Sequence, residues 1–233
     1  MKAKITTFLV LLVLGGAAVR GDDKPAVAKA RAKFEKADTE LNSIYKALAA
    51  QLDKAGAAKL REDERAWIQY RDDMSESAPS FMGNGTVDEP KSMADYWEAM
   101  TTFTRDRIEF LRVYTGKDVP QGITGEYSDC YGASLKLEET KKGVLFDLVA
   151  VRGHSASNGE LSGVLQPKDG KAYFKQQRDP GDGEKPCELV FTFIEGHIVK
   201  IEQKTPDPDA GNGVYYDGEY YKTRKLAGHI KAE

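Results

Sequence analysis

The chain has 233 residues, of which 30% are charged and 40% hydrophobic, and its formal net charge is −3 at pH 7. This length allows one or two domains with modest cores. The acidic balance disfavours anionic partners, namely nucleic acid and acidic membrane surfaces, and it suits a cationic protein partner.

The N-terminus has the layout of a secretory signal peptide, which we assign to residues 1–21. Two lysines precede an apolar run at residues 5–14, and small residues follow it. The run is too short to span a bilayer, so we expect cleavage after Ala18 or Gly21 rather than retention as a transmembrane anchor. Cleavage after Gly21 removes three positive charges from a net of −3, which leaves −6. The mature protein is then periplasmic or secreted, without stable membrane insertion.

The next part of the chain has the periodicity of amphipathic helices. Apolar residues recur every three or four positions over residues 25–52, 57–77 and 92–114, which predicts three helices. Residues 78–90 are rich in glycine, proline and polar residues and are predicted to form an exposed loop. These connections favour an antiparallel three-helix bundle, which we assign to residues 22–115.

The second predicted helix carries an unusual stripe of side chains. At 3.6 residues per turn, one face holds Leu60, Glu64, Trp67 and Arg71. The stripe combines a large ring with charges that need a partner or solvent, and stacking of Trp67 on Arg71 suits both groups. One interpretation is a bundle core in which Arg71 pairs with an acid such as Asp38, and the other is a contact surface for a partner. We favour the core.

Beyond residue 115 the periodicity changes from 3.6 to 2. Glycine and proline interrupt the pattern at residues 116–124, which we assign to a linker. Short alternating runs then predict seven β-strands, at residues 133–139, 144–151, 160–166, 172–176, 188–194, 197–203 and 214–221. Hairpin-length connections favour an antiparallel meander closed into a small β-barrel over residues 125–226, with a polar tail at 227–233. The expected fold class is α+β, and we expect the two halves to fold separately.

Cys130 and Cys187 are the two cysteines of the chain. In an exported protein, two cysteines are read most simply as one disulfide. The bridge would close a loop of about sixty residues and would stabilise the fold by roughly 4 kcal/mol in the chain-entropy model. Two free buried thiols are the alternative.

The sequence contains none of the common catalytic or metal-binding motifs. Asp207 and Asp209 are two residues apart, as in a calcium loop, but Gly211 stands at the third ligand position, so a solvated turn is favoured. The carboxylates of the second helix are expected to form a solvated face. We therefore predict no catalytic residues, no metal and no cofactor.

The three predicted helices carry three blocks of residues with the patterns D-x-x-LN-x-x-Y-x-x-L, L-x-x-x-ERAW-x-x-YRD and T-x-x-R. The residues in these blocks are Asp38, Leu41, Asn42, Tyr45 and Leu48, then Leu60, Arg65, Ala66, Trp67, Tyr70, Arg71 and Asp72, and finally Thr104 and Arg107. Over roughly residues 30–115, these blocks resemble the LprI-type lysozyme-inhibitor family of the bacterial envelope. Two features depart from that family. Glu64 stands where glutamine is common, and Ser75 and the surroundings of Ala99 lack cysteines that members often carry.

The second half has a G-x-Y start at residues 125–127, a C-x-L-x-F-x-F strand at 187–193 and a glycine-rich end at 211–220. These short elements resemble the small calycin-like barrel that some envelope proteins append to LprI-type helices. The resemblance implies a barrel in this part of the chain.

The LprI-type resemblance implies inhibition of lysozyme, a protein–protein function of a protein that is not an enzyme. A net-acidic protein would be steered to a cationic muramidase, and a loop or aromatic anchor would occlude its substrate cleft. Two other functions stay open. One is a periplasmic binding module whose barrel holds a small apolar or cell-wall ligand, and the other is a structural envelope protein.

Overall fold

The computed structural model describes residues 24–84, 87–117, 119–153, 156–179 and 183–230. Three helices are followed by an eight-stranded antiparallel sheet that curls into a nearly closed barrel, so the fold is α+β as predicted. The signal peptide expected at residues 1–21 lies outside these ranges. Within them, no helix combines the length and the apolar character that crossing a membrane requires.

The helical half contains α1 (Lys24–Ala49), α2 (Lys54–Pro79) and α3 (Ala94–Val113). Asp53 caps α2, because its carboxylate accepts a hydrogen bond from the Gly56 N–H at 2.7 Å. The short connection between α1 and α2 makes these two helices antiparallel neighbours, as the bundle prediction expects.

Side-chain contacts fix the directions of the three helices. Phe34 of α1 packs on Trp97 near the start of α3, and Glu40 later in α1 bonds Arg112 near the end of α3, so these helices run parallel. In α2 the order is reversed, since Glu64 early in α2 bonds Arg107 late in α3, and Tyr70 later in α2 packs on Phe103. The bundle is therefore up, down and up.

The sheet consists of two four-stranded meanders. The strands are β1 (Gly125–Ser128), β2 (Ala133–Thr140), β3 (Gly143–Arg152), β4 (Ser157–Leu165), β5 (Lys171–Lys175), β6 (Glu188–Ile194), β7 (Ile198–Thr205) and β8 (Gly218–Arg224). Their order is β4-β3-β2-β1-β8-β7-β6-β5, and the central β1–β8 pair joins the two meanders. The edge strands β4 and β5 approach each other, because a Cβ added at Gly163 would lie 2.9 Å from the Phe174 ring. This approach nearly closes the barrel.

The sequence prediction missed β1. This strand has four residues, GEYS, which is too few for an alternating pattern to be recognised. It nevertheless pairs with both β2 and β8 and so connects the two meanders. The last strand also begins later than predicted, at Gly218, because Tyr216 and Asp217 make side-chain hydrogen bonds with Asp207 and Gln203 instead of joining the ladder.

Two clusters of buried side chains form the cores. The barrel core consists of barrel residues alone, including Leu135, Leu137, Phe146, Leu148, Phe191, Tyr216 and Tyr220. The helical core contains Leu41, Leu48, Leu60, Trp67, Ile108, Phe110 and Leu111, together with Cys130 and Tyr221 from the barrel half. The barrel half therefore completes the core of the helices.

The predicted disulfide is wrong. Cys130 and Cys187 are both free and buried, and they lie in different cores. Cys130 belongs to the helical core, whereas Cys187 lies inside the barrel. Burial raises the pKa of each thiol to about 12, so both stay protonated at neutral pH. Sequence spacing carries no information about which core a cysteine enters, and this is why the pairing rule failed.

Part of the predicted linker at residues 116–124 is fixed to the barrel. The ammonium group of Lys222, a fully buried residue of β8, donates to the carbonyl oxygen of Pro120 at 3.1 Å and to that of Gly122. The same ammonium lies 5.4 Å from the centroid of the Tyr127 ring. Burial lowers the pKa of Lys222. The chain that leaves α3 is thus held against β8.

Candidate functional site

Trp67 lies at the centre of the helical core and is fully buried. The guanidinium carbons of Arg71 and Arg107 lie 5.1 Å and 5.3 Å from the centroid of its ring, one supplied by α2 and the other by α3. Both distances suit cation–π attraction. The structure therefore agrees with the interpretation of Trp67 as a core side chain.

Arg107 bonds two carboxylates of α2 and has no exposed side-chain surface. Its Nη2 donates to Asp63 at 2.5 Å and to Glu64 at 2.9 Å, and its Nε donates to Glu64 at 3.0 Å. Burial raises the pKa of Glu64, and the positive charge of Arg107 opposes that rise. Removing one partner of such a buried group costs about 3–5 kcal/mol, because the remaining charge stays desolvated.

Arg71 joins α2 to α1. Its guanidinium lies 3.4 Å from the Asp38 carboxylate, the partner that the sequence suggested, and 2.8 Å from that of Asp72. The Asn42 amide donates to Asp38 at 2.9 Å and holds this carboxylate in place. These motif residues therefore form a second ionic contact, at the α1–α2 seam.

The remaining motif residues are divided between core and surface. Leu41 is buried in the helical core, and Tyr45 and Tyr70 pack at its edge. Thr104 is fully buried, and within the described ranges its hydroxyl has no hydrogen-bond partner. Arg65 is exposed and takes no part in these contacts. Most of the motif therefore supports the packing of the helices.

These connected contacts tie α1, α2 and α3 into one bundle. Residues 22–111 match the family model described as Lysozyme inhibitor LprI. The match covers α1, α2 and most of α3 and ends before the barrel, so it is a similarity of the helical half alone. No curated protein and no solved structure shows significant similarity to the chain.

Half of the fourteen motif residues are buried and four more are partly buried, so other side chains offer more accessible surface for a partner. The large hydrophobic residues that are exposed in the described ranges are Ile68, Phe81, Met82, Val164, Tyr173 and Tyr215. Phe81 and Met82 are adjacent and are 50% and 42% exposed, so together they form an apolar patch.

Local backbone chemistry positions this patch at the end of α2. The helix reaches Pro79, which has no N–H to donate to the preceding turn, and a single wide turn follows at Ser80–Asn84. Gly83 has φ = 90°, which redirects the chain and which other residues rarely adopt. Phe81 and Met82 are thereby presented beyond the last turn of a long helix.

The surroundings of the patch are acidic. From residue 72 to residue 90 the chain has five acidic residues and no Lys or Arg. Among these acids, Glu76, Asp88 and Glu89 are exposed, and a depression of about 530 Å³ beside Phe81 is lined partly by Glu76 and Asp88. We call Phe81, Met82, Glu76, Asp88 and Glu89 the acidic tip.

Sequence reasoning predicted an exposed loop here but assigned no binding role to any of its residues. The available signal was the Phe81–Met82 pair, because two large apolar side chains are unusual in a segment otherwise rich in glycine, proline and acids. The periodicity of α2 was extrapolated only to Ser77, two residues short of the helix end at Pro79.

The described ranges contain no group of His, Cys, Asp and Glu side chains arranged to hold a metal ion. Asp207, from the segment compared with a calcium loop, is buried rather than solvated. Its carboxylate accepts hydrogen bonds from the Tyr216 hydroxyl at 2.7 Å and from the Asp209 N–H at 3.1 Å. These bonds shape the turn before β8.

Proposed function

We propose that this protein is an exported lysozyme inhibitor that acts by binding the enzyme, without catalysis and without a cofactor. The observation that carries the proposal is the LprI match over residues 22–111. The signal-peptide layout of residues 1–21 supports export to the periplasm or beyond. The acidic net charge suits a cationic muramidase as the partner.

We assign the contact to the acidic tip. Its carboxylates would attract a cationic enzyme over a distance of about one Debye length, roughly 8–10 Å. Phe81 and Met82 would then enter the substrate cleft, where burial of a side chain of this size contributes about 1.5–3 kcal/mol. An apolar anchor within a charged rim is the arrangement that concentrates binding energy in a few residues.

The buried motif residues support this role indirectly. Trp67, Arg71 and Arg107 lock α2 against α1 and α3, so the tip extends from a rigid helix. A preorganised contact loses less conformational entropy when it binds than a flexible loop does. The family motif would then hold the helix that carries the inhibitory surface in place, and other residues would form the surface itself.

The barrel interior gives little support to the alternative of an enclosed ligand. Leu135, Phe146, Leu148, Phe191 and Tyr220 fill it and are fully buried. A ligand there would have to displace side chains that are packed at the density of a protein core, which costs several kcal/mol. We therefore assign the lysozyme-binding function to the helical half.

The proposal is tested with the mature protein in a lysozyme assay on a cell-wall suspension. The wild type is expected to inhibit lysis, and the double variant Phe81→Ala/Met82→Ala is expected to bind lysozyme about 30-fold or more weakly, because about 2 kcal/mol of anchor burial is lost. Tyr173→Ala is the matched control, because Tyr173 is 73% exposed but lies on β5 of the barrel.

Calorimetry with purified lysozyme measures the affinities, and thermal melts verify that all variants are folded. Wild-type protein that leaves lysis unchanged and does not bind lysozyme would refute the function. Inhibition that survives in the double variant but is lost in Tyr173→Ala would keep the function and move the contact surface to the barrel.

A further inference from the structure

A cavity of about 250 Å³ lies where the helices meet the barrel. Its lining combines five aromatic rings with the carboxylates of Asp63, Asp129, Asp217 and Glu219, and Lys59 is its single lysine. We call this cavity the junction cleft. Its floor is buried, since the side chains of Phe110 and Asp129 are almost inaccessible, whereas at its mouth at least half of the surface of Lys59 and Tyr215 is exposed.

Two arginines next to the lining residues show that a cation can be bound here between a carboxylate and an aromatic ring. Arg107 bonds Asp63 at 2.5 Å and lies 4.9 Å from the centroid of the Phe110 ring. Its guanidinium therefore has a carboxylate and an aromatic face as neighbours, and both favour a positive charge.

Arg152 repeats this arrangement on the barrel side. It bonds Asp129 at 2.7 Å and lies 4.6 Å from the centroid of the Tyr215 ring. At the mouth, Lys59 bonds Glu219 at 3.0 Å. Three of the four lining carboxylates thus have a cationic partner within this chain.

Asp217 is the fourth carboxylate. Its Oδ1 accepts a hydrogen bond from the Gln203 N–H at 2.9 Å. Within the described ranges, no Lys or Arg lies at ion-pairing distance from it, and its side chain is exposed. The tyrosine rings of the lining stand in the same cleft, and Tyr114 and Tyr221 are stacked with their ring centroids 5.2 Å apart.

We propose that the junction cleft binds a cationic side-chain group, the ammonium of a lysine or the guanidinium of an arginine, presented by a partner peptide or protein. The cation would pair with Asp217 and lie against the tyrosine rings, as Arg107 and Arg152 do with their own carboxylates and rings. The exposed position of Asp217 lets the side chain of a partner reach it from solvent, and the volume suits a four-carbon arm with its charged head.

Lys59 gives the proposal a distinctive consequence. Among the described residues that line the cleft it is the one lysine, and its ammonium bonds the Glu219 carboxylate. A visiting cation would be repelled by Lys59, and removal of this lysine would also free the Glu219 carboxylate to accept the visitor. Substitution of Lys59 by an uncharged residue should therefore strengthen the binding of a cation to the cleft.

The junction cleft is separate from the acidic tip. Lys59 and Phe81 are 22 residues apart along α2 and the turn that follows it, which corresponds to about 30 Å at 1.5 Å per residue. The proposal does not rest on lysozyme binding, because a small cation is enough to test it. If the protein did not bind lysozyme, cation binding by the junction cleft could still be measured, and the reverse also holds.

The test is an NMR titration of the mature protein with n-butylammonium, with 1-butanol as the neutral molecule of the same shape and N-acetylglucosamine as a sugar. We expect n-butylammonium to shift resonances of the residues around the cleft with millimolar affinity, and 1-butanol to bind about fivefold more weakly or not at all. Equal binding of the alcohol, or preferential binding of the sugar, would overturn the proposal.

Three variants separate the proposed role from a structural one. Asp217→Asn keeps the acceptor for Gln203 but removes the charge, and it should weaken n-butylammonium binding about three- to fivefold. Lys59→Ala should tighten binding by a similar factor. Glu160→Gln, an exposed acid on β4, is the control and should leave the affinity unchanged. Weaker or unaltered binding in Lys59→Ala, with the fold intact, would refute the proposed role of the cleft.

Discussion

Trp67 shows how a charged helix can form a core. A tryptophan between two guanidinium groups buries a large apolar surface, and each guanidinium is in turn bonded to carboxylates. The attraction of the ring for both cations offsets part of the cost of removing them from water. The unusual stripe on α2 is thus explained by packing, without a bound partner.

Substitution of Trp67 tests this explanation. Trp67→Ala is expected to lower the free energy of unfolding by about 3–5 kcal/mol, because it leaves a cavity in the core. The guanidinium groups of Arg71 and Arg107 also lose the ring against which they pack. Ile68→Ala is the matched control, since Ile68 is the next residue of α2 and is 40% exposed, and it should change stability by less than about 1 kcal/mol. Thermal and urea melts measure both effects.

Lysozyme binding by the same variants shows whether Trp67 acts through the stability of the core or contacts lysozyme directly. If Trp67→Ala binds lysozyme normally at a temperature where it is folded, then the residue acts through stability, as we expect. A variant with an unchanged melt and no binding would instead make Trp67 part of the contact surface.

Single-residue contacts were predictable from the sequence only where they are set by helical spacing. Stacking of Trp67 on Arg71 follows from their separation of four residues, and Asp38 was an available acid for Arg71. The bond from Arg107 to Glu64 depends on the register between α2 and α3, which no local pattern specifies. For the same reason the sequence did not decide between a disulfide and two free thiols, because Arg107, a neighbour of Cys130, belongs to another element.

At the level of elements, long periodic segments were predicted well and short ones were not. The three helices have 20 to 26 residues, so that a stripe recurs over five or more turns. Strand β1 has four residues and offers two alternations. The acidic tip was not predicted as a site, because the Phe81–Met82 pair is only a weak signal in the sequence and its exposure results from the way α2 ends.

The C-terminal segment is held to the barrel by a contact that depends on pH. Glu138 of β2 accepts a hydrogen bond from the Ile230 N–H at 2.7 Å and contacts His229. The hydrogen bond with Glu138 raises the pKa of His229, and that same bond lowers the pKa of Glu138. The attraction is complete below the ordinary histidine pKa of about 6.5 and is lost as pH rises through the raised pKa. Protonation of Glu138 ends it in strong acid.

An NMR titration of His229 checks this contact. We expect its imidazole to titrate above about 6.5 in the wild type and to return to its ordinary pKa in Glu138→Gln. Glu139→Gln is the control, because Glu139 is the adjacent exposed acid of β2. The backbone amides near residue 230 should lose order as pH rises from 6 to 8. An ordinary pKa for His229 in all three proteins would show that the segment is not held in this way.

At the scale of the whole molecule, the two halves differ in how much each depends on the other for its core. Among the residues that the structure describes, those that form the barrel core all lie between positions 123 and 220. The helical core is completed by Cys130 and Tyr221 and is flanked by Tyr131 and Ile198, all from the barrel half. We therefore propose that the barrel folds by itself, whereas the helices need the barrel for full stability. This revises the expectation of two independent halves, which rested on the change of periodicity.

Two adjacent tyrosines of β8 provide a direct test, because they point to opposite faces of the strand. Tyr221 packs on Phe110 and Tyr114 of the helical half, and Tyr220 lies in the barrel core. Tyr221→Ala should destabilise the helices by about 3 kcal/mol and leave the barrel folded. Tyr220→Ala should destabilise the barrel and, through it, the helices.

The readouts are specific for each half. Both tryptophans, Trp67 and Trp97, lie in the helices, so the fluorescence melt reports the helical half, and hydrogen exchange of strand amides reports the barrel. For Tyr221→Ala we expect the fluorescence transition to move to lower temperature while strand protection persists. If instead both signals shift together in Tyr221→Ala and strand protection is lost, the barrel depends on the helices as much as they depend on it. The difference between the two cores would then cause no difference in stability between the two halves.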